Sequence, residues 1–330
     1  MRSMEEFELA HPDYITVDYE PDCTIYHMSN IGGVGTMTSY EVFEGVELIY
    51  NDFDSPYCVS GKGTSPNLME INHCRMGRFE CDLLNGTCVY LEEGDLSVNM
   101  LVNQTKNPCF PLERYNGVSI MIDLVRAEHS ISQVLKDISI DLFSLREKLC
   151  NGNGNRCFIM RATDSIQHIF SELYTVQDSV KFGYFKLKVL ELLLFLSVLN
   201  PEEHLDTPRY FEKKQVECVK RIKNHMVCHP ESHFTLVELS EQFELPLTTM
   251  KQCFKGVYGT SIYAYMRSYR MQRAAVLLCQ GNESVSSVAW RLGYVNASKF
   301  ASAFKKEMGS SPMEYRKKHR LNGAKIVYVE

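Results

Sequence analysis

Between residues 14 and about 124, apolar residues come in short runs, at 46–50, 68–71, 87–91 and 118–122, separated by Gly, Asn, Asp and Pro. Runs of this length, bounded by turn residues such as Asn85-Gly86 and Glu93-Gly94-Asp95, predict strands. The fold they predict is a β-sandwich or small barrel. From Ile131 the spacing becomes helical: Ile138, Leu142, Leu145 and Leu149 share one helix face, a loop follows at 151–155, and 163–174 and 184–199 fit two further helices. The last of these is apolar nearly all round, so the β region, a sister helix or a second subunit must cover it. It is the candidate dimerisation element.

The C-terminal third contains a repeat. Leu236, Leu239, Ser240 and Phe243 recur forty-nine residues later as Val285, Val288, Ala289 and Leu292. Met250, Phe254, Lys255, Gly259, Ser261 and Tyr265 recur fifty residues later as Phe300, Phe304, Lys305, Gly309, Ser311 and Tyr315, so the turn of the second copy has gained one residue. Each copy predicts a short helix with a small residue at mid-length, a turn, and a second helix anchored by two bulky apolar residues four apart. That is the helix-turn-helix arrangement. Gly259 and Gly309 fall where a helix stop needs the left-handed conformation. Ser311, Pro312 and Glu314 form a capping box that starts another helix at once. Between the copies, 261–279 predicts one linking helix of roughly 28 Å, which suits two recognition helices about one DNA turn, ~34 Å, apart in adjacent major grooves.

Charge changes this picture. The 330 residues carry a net charge of -6, yet residues 205–320 hold 19 Lys and Arg against 10 Asp and Glu, leaving 16 basic and 31 acidic residues elsewhere. A basic module joined to an acidic one is what a phosphate-binding domain fused to a domain of other function predicts. The Pro-containing stretch at 200–208 is the boundary. Residues 1–10 are acidic and lack the apolar core of a signal peptide, and the apolar stretch at 187–199 is interrupted by Lys188 and Glu191, too short to span a bilayer. The expectation is a cytoplasmic chain with no membrane partner, its twelve cysteines reduced.

Residues 236–317 resemble the DNA-binding domain of the AraC/XylS transcription regulators, and the stretch from Gly293 through Tyr294, Phe300, Phe304, Gly309, Ser311, Pro312 and Tyr315 to Arg316 is similar to that family's signature nearly throughout. The resemblance covers about a quarter of the chain. The first copy departs from it at Pro246, where the family usually places a capping Ser, so capping is assigned to Thr248. With Met250 and Phe254 inward, the first recognition helix is expected to expose Thr248, Thr249, Lys251, Gln252 and Lys255. The resemblance puts Thr248, Lys251 and Gln252 at base contacts, and Lys and Gln are chemically able to read guanine and adenine. The second exposes Asn296, Ser298, Lys299 and Ser302 toward bases, while Lys305, Lys306, Arg316 and Lys317, like Lys255, suit phosphates.

In the same family the domain ahead commonly takes a cupin-like β form that binds a small effector. Segments at 71–78, 94–96 and 111–120 faintly resemble the siderophore-responsive subgroup. The effector-binding residues are not identifiable. His73, Cys74, Cys81 and Cys88 invite a metal or thiol-sensor reading, but a strand reverses face over odd intervals and no Cys-x-x-Cys pair exists, so buried structural thiols are the alternative. No metal or cofactor is assigned. Gly32-Gly33-Val34-Gly35 lacks a phosphate-loop ending and reads as strand-turn-strand. His27, His73 and His129 have no nucleophile signature beside them, so an enzyme is not expected.

The expected protein is α+β: a β-rich effector-sensing domain at 1–128, a helical dimerisation or linker region at 129–204, and an all-α DNA-binding domain at 205–330 with two helix-turn-helix units joined by a linking helix. Its expected partners are double-stranded DNA, a small-molecule effector, a second copy of itself and, for an activator, RNA polymerase. A regulator controlled by abundance or a protein partner is the alternative within this class. An enzyme fused to a DNA-binding tail is the alternative outside it.

Overall fold

The computed structural model describes residues 15–30, 32–58, 66–83, 86–103, 109–134, 140–151, 156–203 and 211–320. The acidic start of the chain, Asn85 of the Asn85-Gly86 turn, Ile138, most of the 151–155 loop and most of the 200–208 boundary lie outside the described residues. The chain folds into two compact units, 1–213 and 214–330.

In the first unit, strands β1 (Ile15–Tyr19), β2 (Thr24–Asn30), β3 (Gly33–Phe43), β4 (Val46–Asp54), β5 (Leu68–Gly77), β8 (Leu96–Met100), β9 (Tyr115–Asp123) and β10 (Phe158–Met160) build an eight-stranded sheet, ordered β1-β2-β3-β4-β9-β5-β8-β10. Its pairings are antiparallel. A smaller sheet holds β6 (Phe79–Asp82), β7 (Thr87–Leu91) and β11 (Phe211–Glu212). The four apolar runs of the sequence lie in β4, β5, β7 and β9, and the glycines at 32–35 join β2 to β3 as strand-turn-strand.

Both faces of the large sheet are buried. Leu48, Met69, Ile71, Val98, Val118 and Ile120 share a core with helices α1 (Leu124–Val134), α2 (Leu142–Cys150), α3 (Asp164–Leu173) and α4 (Lys181–Val198). The opposite face places Ile49, Phe53, Leu68, Cys74, Tyr115 and Met121 against Phe79, Val89 and Leu91 of the small sheet. Two-sided burial makes β8 apolar or small-polar at every position, which hides the period-two signal of a half-exposed strand.

The structure corrects one boundary. The helical pattern was expected from Ile131, but α1 begins at Leu124, directly after β9. Asp123 is the cause: its Oδ1 accepts from the N–H of Val125 at 3.1 Å and of Arg126 at 3.2 Å, capping the helix seven residues early.

Helix α4 is covered by the sheet and α3 through Phe185, Val189, Leu192, Leu193 and Leu196. Lys188 on the same helix is buried and reaches Glu172, and Glu191 at 2.8 Å. Leu187 and Val198 stay 65% and 82% exposed. His73 and Cys74, adjacent on β5, point to opposite faces. Burial pushes the Cys74 and Cys150 thiols up to about 12, so they stay protonated and unreactive at neutral pH. Among the described residues, no group of three or more His, Cys, Asp or Glu side chains is arranged to hold a metal ion, and no helix is long and apolar enough to cross a membrane.

Candidate nucleic-acid interface

The second unit is helical: α5 (Lys213–Cys228), α6 (Leu236–Gln242), α7 (Leu247–Tyr258), α8 (Ile262–Gln280), α9 (Val285–Arg291), α10 (Ala297–Met308) and α11 (Pro312–Arg320). The sequence repeat is a repeat of helix pairs, α6 with α7 and α9 with α10. The long helix α8, read from sequence as 261–279, separates them.

Each pair is built from local rules. Thr235 starts α6 with a capping box, its Oγ1 accepting from Glu238 N–H while the Glu238 carboxylate accepts from Thr235 N–H at 2.7 Å. These bonds hold the Glu238 carboxyl below the usual range. Ser284 caps α9 and Asn296 caps α10, the Asn296 Oδ1 accepting from the N–H groups of Ser298 and Lys299 at 2.9 and 3.0 Å. The capping box at Ser311 and Glu314 forms as the sequence predicts. Gly259 and Gly309 close α7 and α10 at φ 76° and 77°. Helix α7 departs from this scheme. Its N-cap is Pro246, no side chain caps it, and Thr248 lies inside the helix rather than at its cap. The assignment of capping to Thr248 is therefore wrong, because α7 starts one residue after the proline, ahead of the threonine.

The anchors are buried as expected. Met250 and Phe254 of α7, and Phe300 and Phe304 of α10, have no exposure. Phe300 and Phe304 pack with Met271, Ala274, Leu278, Val288, Ala289 and Leu292, so α8 and α9 orient α10. The two mid-helix small residues act differently. Ala289 simply packs, whereas the Ser240 hydroxyl donates to Leu245 C=O at 2.7 Å and fixes the first turn.

With the anchors inward, Thr248, Lys251, Gln252 and Lys255 are exposed at spacings of three and four, forming one stripe along α7. On α10, Ser298, Lys299, Ser302, Lys305 and Lys306 are exposed, as is Asn296 at its head. Lys251, Lys255, Lys299 and Lys306 form no ion pair among the described residues. Lys317 on α11 is exposed.

Arg316 is half-buried and bonded to the backbone. Its Nε donates to Leu278 C=O at 3.1 Å and its guanidinium NH2 to Glu283 C=O at 2.7 Å, tying the loop ahead of α9 to α11. Arg270 does the same ahead of α6, donating to Pro230 and Ser232 C=O at 2.7 Å each. A third tie joins the pairs: His233 Nε2 meets Gly293 C=O at 2.7 Å. Sequence reasoning missed Arg270 and His233, because their partners are backbone carbonyls dozens of residues away and carry no side-chain signal. It also missed Val295, 97% exposed directly before Asn296, although the extra turn residue marked the place.

Two helix pairs flank a linking helix, each turning a basic and hydroxyl-bearing stripe outward, and the sequence pattern described as "Helix-turn-helix domain" matches residues 239–318. Over that span the chain carries an AraC-type helix-turn-helix domain. It is 25% identical over 151 residues to the HTH-type transcriptional activator RhaR of Mannheimia succiniciproducens, covering 46% of this chain and 54% of RhaR. It is 25% identical over 244 residues to the thermoregulatory protein LcrF of Yersinia pestis, covering 71% of this chain and 81% of LcrF. Among solved structures, the C-terminal domain of AraT, a response regulator from Geobacillus stearothermophilus, aligns with 34% of this chain and 93% of its own at 27% identity and a TM-score of 0.31. These relatives are regulators by name, and none is named as an enzyme.

Proposed function

We propose that the protein is a sequence-specific DNA-binding transcription regulator of the AraC type, acting in the cytoplasm. Its two helix pairs are helix-turn-helix units whose recognition helices, α7 and α10, enter adjacent major grooves of one duplex. The carrying observation is the pair of outward stripes, Thr248, Lys251, Gln252 and Lys255 on one helix and Ser298, Lys299, Ser302, Lys305 and Lys306 on the other, held by the buried anchors Met250 and Phe254, and Phe300 and Phe304. The 19 residues of α8 give a strut of about 28 Å, matched to one DNA turn. Lys251, Gln252, Ser298, Lys299 and Ser302 face bases, with Thr248 beside them; the remaining lysines face phosphates. Asn296 keeps only its Nδ2 donors for DNA, since the cap uses its oxygen.

The first unit is a cupin-like sensor for a polar effector. Asn72, Ser97, Asn99 and Ser119 are buried on the face of the large sheet that meets the small one, where Asn72 Oδ1 accepts from Tyr115 at 2.7 Å. Asn72 Nδ2 and both amide atoms of Asn99 are buried without a hydrogen-bond partner. Each such group costs about 1–3 kcal/mol, which a polar effector between the sheets offsets. The exposed Leu187 and Val198 of α4 suit a dimer with a second copy, and an activator of this kind also contacts RNA polymerase.

Fluorescence anisotropy with duplexes selected from a random library, at several salt concentrations, tests the DNA reading. The expected result is binding tighter by at least about a thousandfold than to random duplex, weakening steeply with salt. Equal affinity for selected and random duplexes contradicts it. A thermal-shift screen against polar metabolites tests the sensor, since a ligand of the folded state raises Tm.

A further inference from the structure

The turns of the two helix pairs differ in length by one residue, and hydrogen bonds identify which one it is. In the first turn, Leu245 N–H donates to Ser240 C=O at 3.1 Å; in the second, Tyr294 N–H donates to Ala289 C=O at 2.9 Å, a correspondence of forty-nine residues. The helices that follow start at Pro246 and Asn296, whose carbonyls accept from Met250 and Phe300 N–H at 2.8 and 3.1 Å, a correspondence of fifty. Leu245 joins Pro246 directly, whereas Tyr294 and Asn296 are separated by Val295. The extra residue is Val295.

Among the described residues, none buries its side chain. Leu245 is 8% exposed and plugs the first turn, a role Tyr294 takes in the second, and Val295 is left at 97%, the most exposed large apolar side chain among the described residues. It stands at the head of α10, the end of a recognition helix that reaches base edges. Its neighbours there cannot read adenine in the usual two-bond way. Asn296 has spent its acceptor on the cap, and Ala297, also exposed, has no hydrogen-bonding group. The head of α10 therefore presents two hydrocarbon side chains, and the apolar feature that base pairs display in the major groove is the C5-methyl of thymine.

We infer that Val295 is a specificity-determining residue, packing on a thymine methyl at the end of the site covered by the second recognition helix. The inference rests on the regulator reading above. It makes Val295, absent from the first unit, a source of asymmetry between what the two units read.

Full-length protein first selects duplexes from a random library. Each thymine of the recovered sequence is then replaced singly by deoxyuridine, which removes the C5-methyl alone, and binding is measured by anisotropy for the wild type and Val295→Ser. For the wild type, one thymine at the α10 end should show affinity about fourfold weaker on losing its methyl, the worth of one buried methyl group. Val295→Ser should bind the thymine duplex about fourfold more weakly, be indifferent to uracil at that position, and melt at the wild-type temperature. If selection recovers no preferred sequence, the regulator reading falls and the inference with it. If a preferred sequence is recovered but no thymine is uracil-sensitive, or Val295→Ser keeps the same sensitivity, the inference alone is overturned.

Discussion

Gly293 and Gly309 share nearly the same positive φ, +81° and +77°, in very different surroundings. A Cβ on Gly309 meets nothing within 4 Å, whereas one on Gly293 would lie 2.5 Å from Glu231 C=O and 3.1 Å from the His233 ring. Gly309→Ala should cost about 1–2 kcal/mol in urea denaturation, from left-handed strain alone. Gly293→Ala should cost clearly more, because strain adds to a backbone clash and to loss of the His233 bond; equal costs would show that the tie between the helix pairs carries no stability. The basic residues divide in a similar way. Lys306→Ala should reduce the slope of log affinity against log salt by about 0.9, with stability unchanged. Arg316→Ala should leave that slope unchanged and lower stability, since two carbonyls lose a charged donor. Both residues look equally suited to phosphate in the sequence, and only the position of Leu278 and Glu283 separates them.

Among elements, α3 is pinned to the sheet by an aromatic stack: the His73 ring of β5 lies on Phe170, with centroids 4.1 Å apart and planes within 5°. Its Nδ1 is 3.4 Å from Tyr174 OH, and Nε2 is buried without a partner. Burial pushes the His73 pKa down from 6.5 to about 4. Between those values the unfolded chain binds more protons than the folded one, so stability is full above pH 6.5 and falls as the pH drops toward 4. The loss is about 3 kcal/mol over that window. His73→Phe should flatten this dependence, measured as urea midpoints from pH 7 to 4.5, and an unchanged slope would assign the acid sensitivity to another group. The helix ends tell a related story. The cap at Ser311 follows from residue type and spacing, and the structure honours it; the caps at Ser284 and Asn296 emerge from the structure. The caps at Asp123 and Pro246 were misread because strand-forming residues run straight into α1, and because a proline offers no side-chain acceptor to mark the start of α7.

At the scale of the whole molecule, the apolar helix α4 is largely consumed by its own sheet, leaving Leu187 and Val198 outward on the side that Gly183 also occupies. If a second copy covers that side, Leu187→Glu should convert a dimer into a monomer in sedimentation velocity without lowering Tm. A dimer that survives the substitution would remove α4 from the interface. The division into a basic helical unit and an acidic β-rich one was legible in the chain, and so were the duplicated helix pairs, because periodicity, glycine stops and capping boxes are local and each copy vouches for the other. Which residue of α4 faces the sheet, that Arg316 donates to the carbonyls of Leu278 and Glu283, that His73 lies on Phe170 and that Val295 is the expelled residue were settled only in three dimensions. Each depends on groups brought together from distant parts of the chain, many of them backbone atoms, and a backbone carbonyl looks the same in every residue of a sequence.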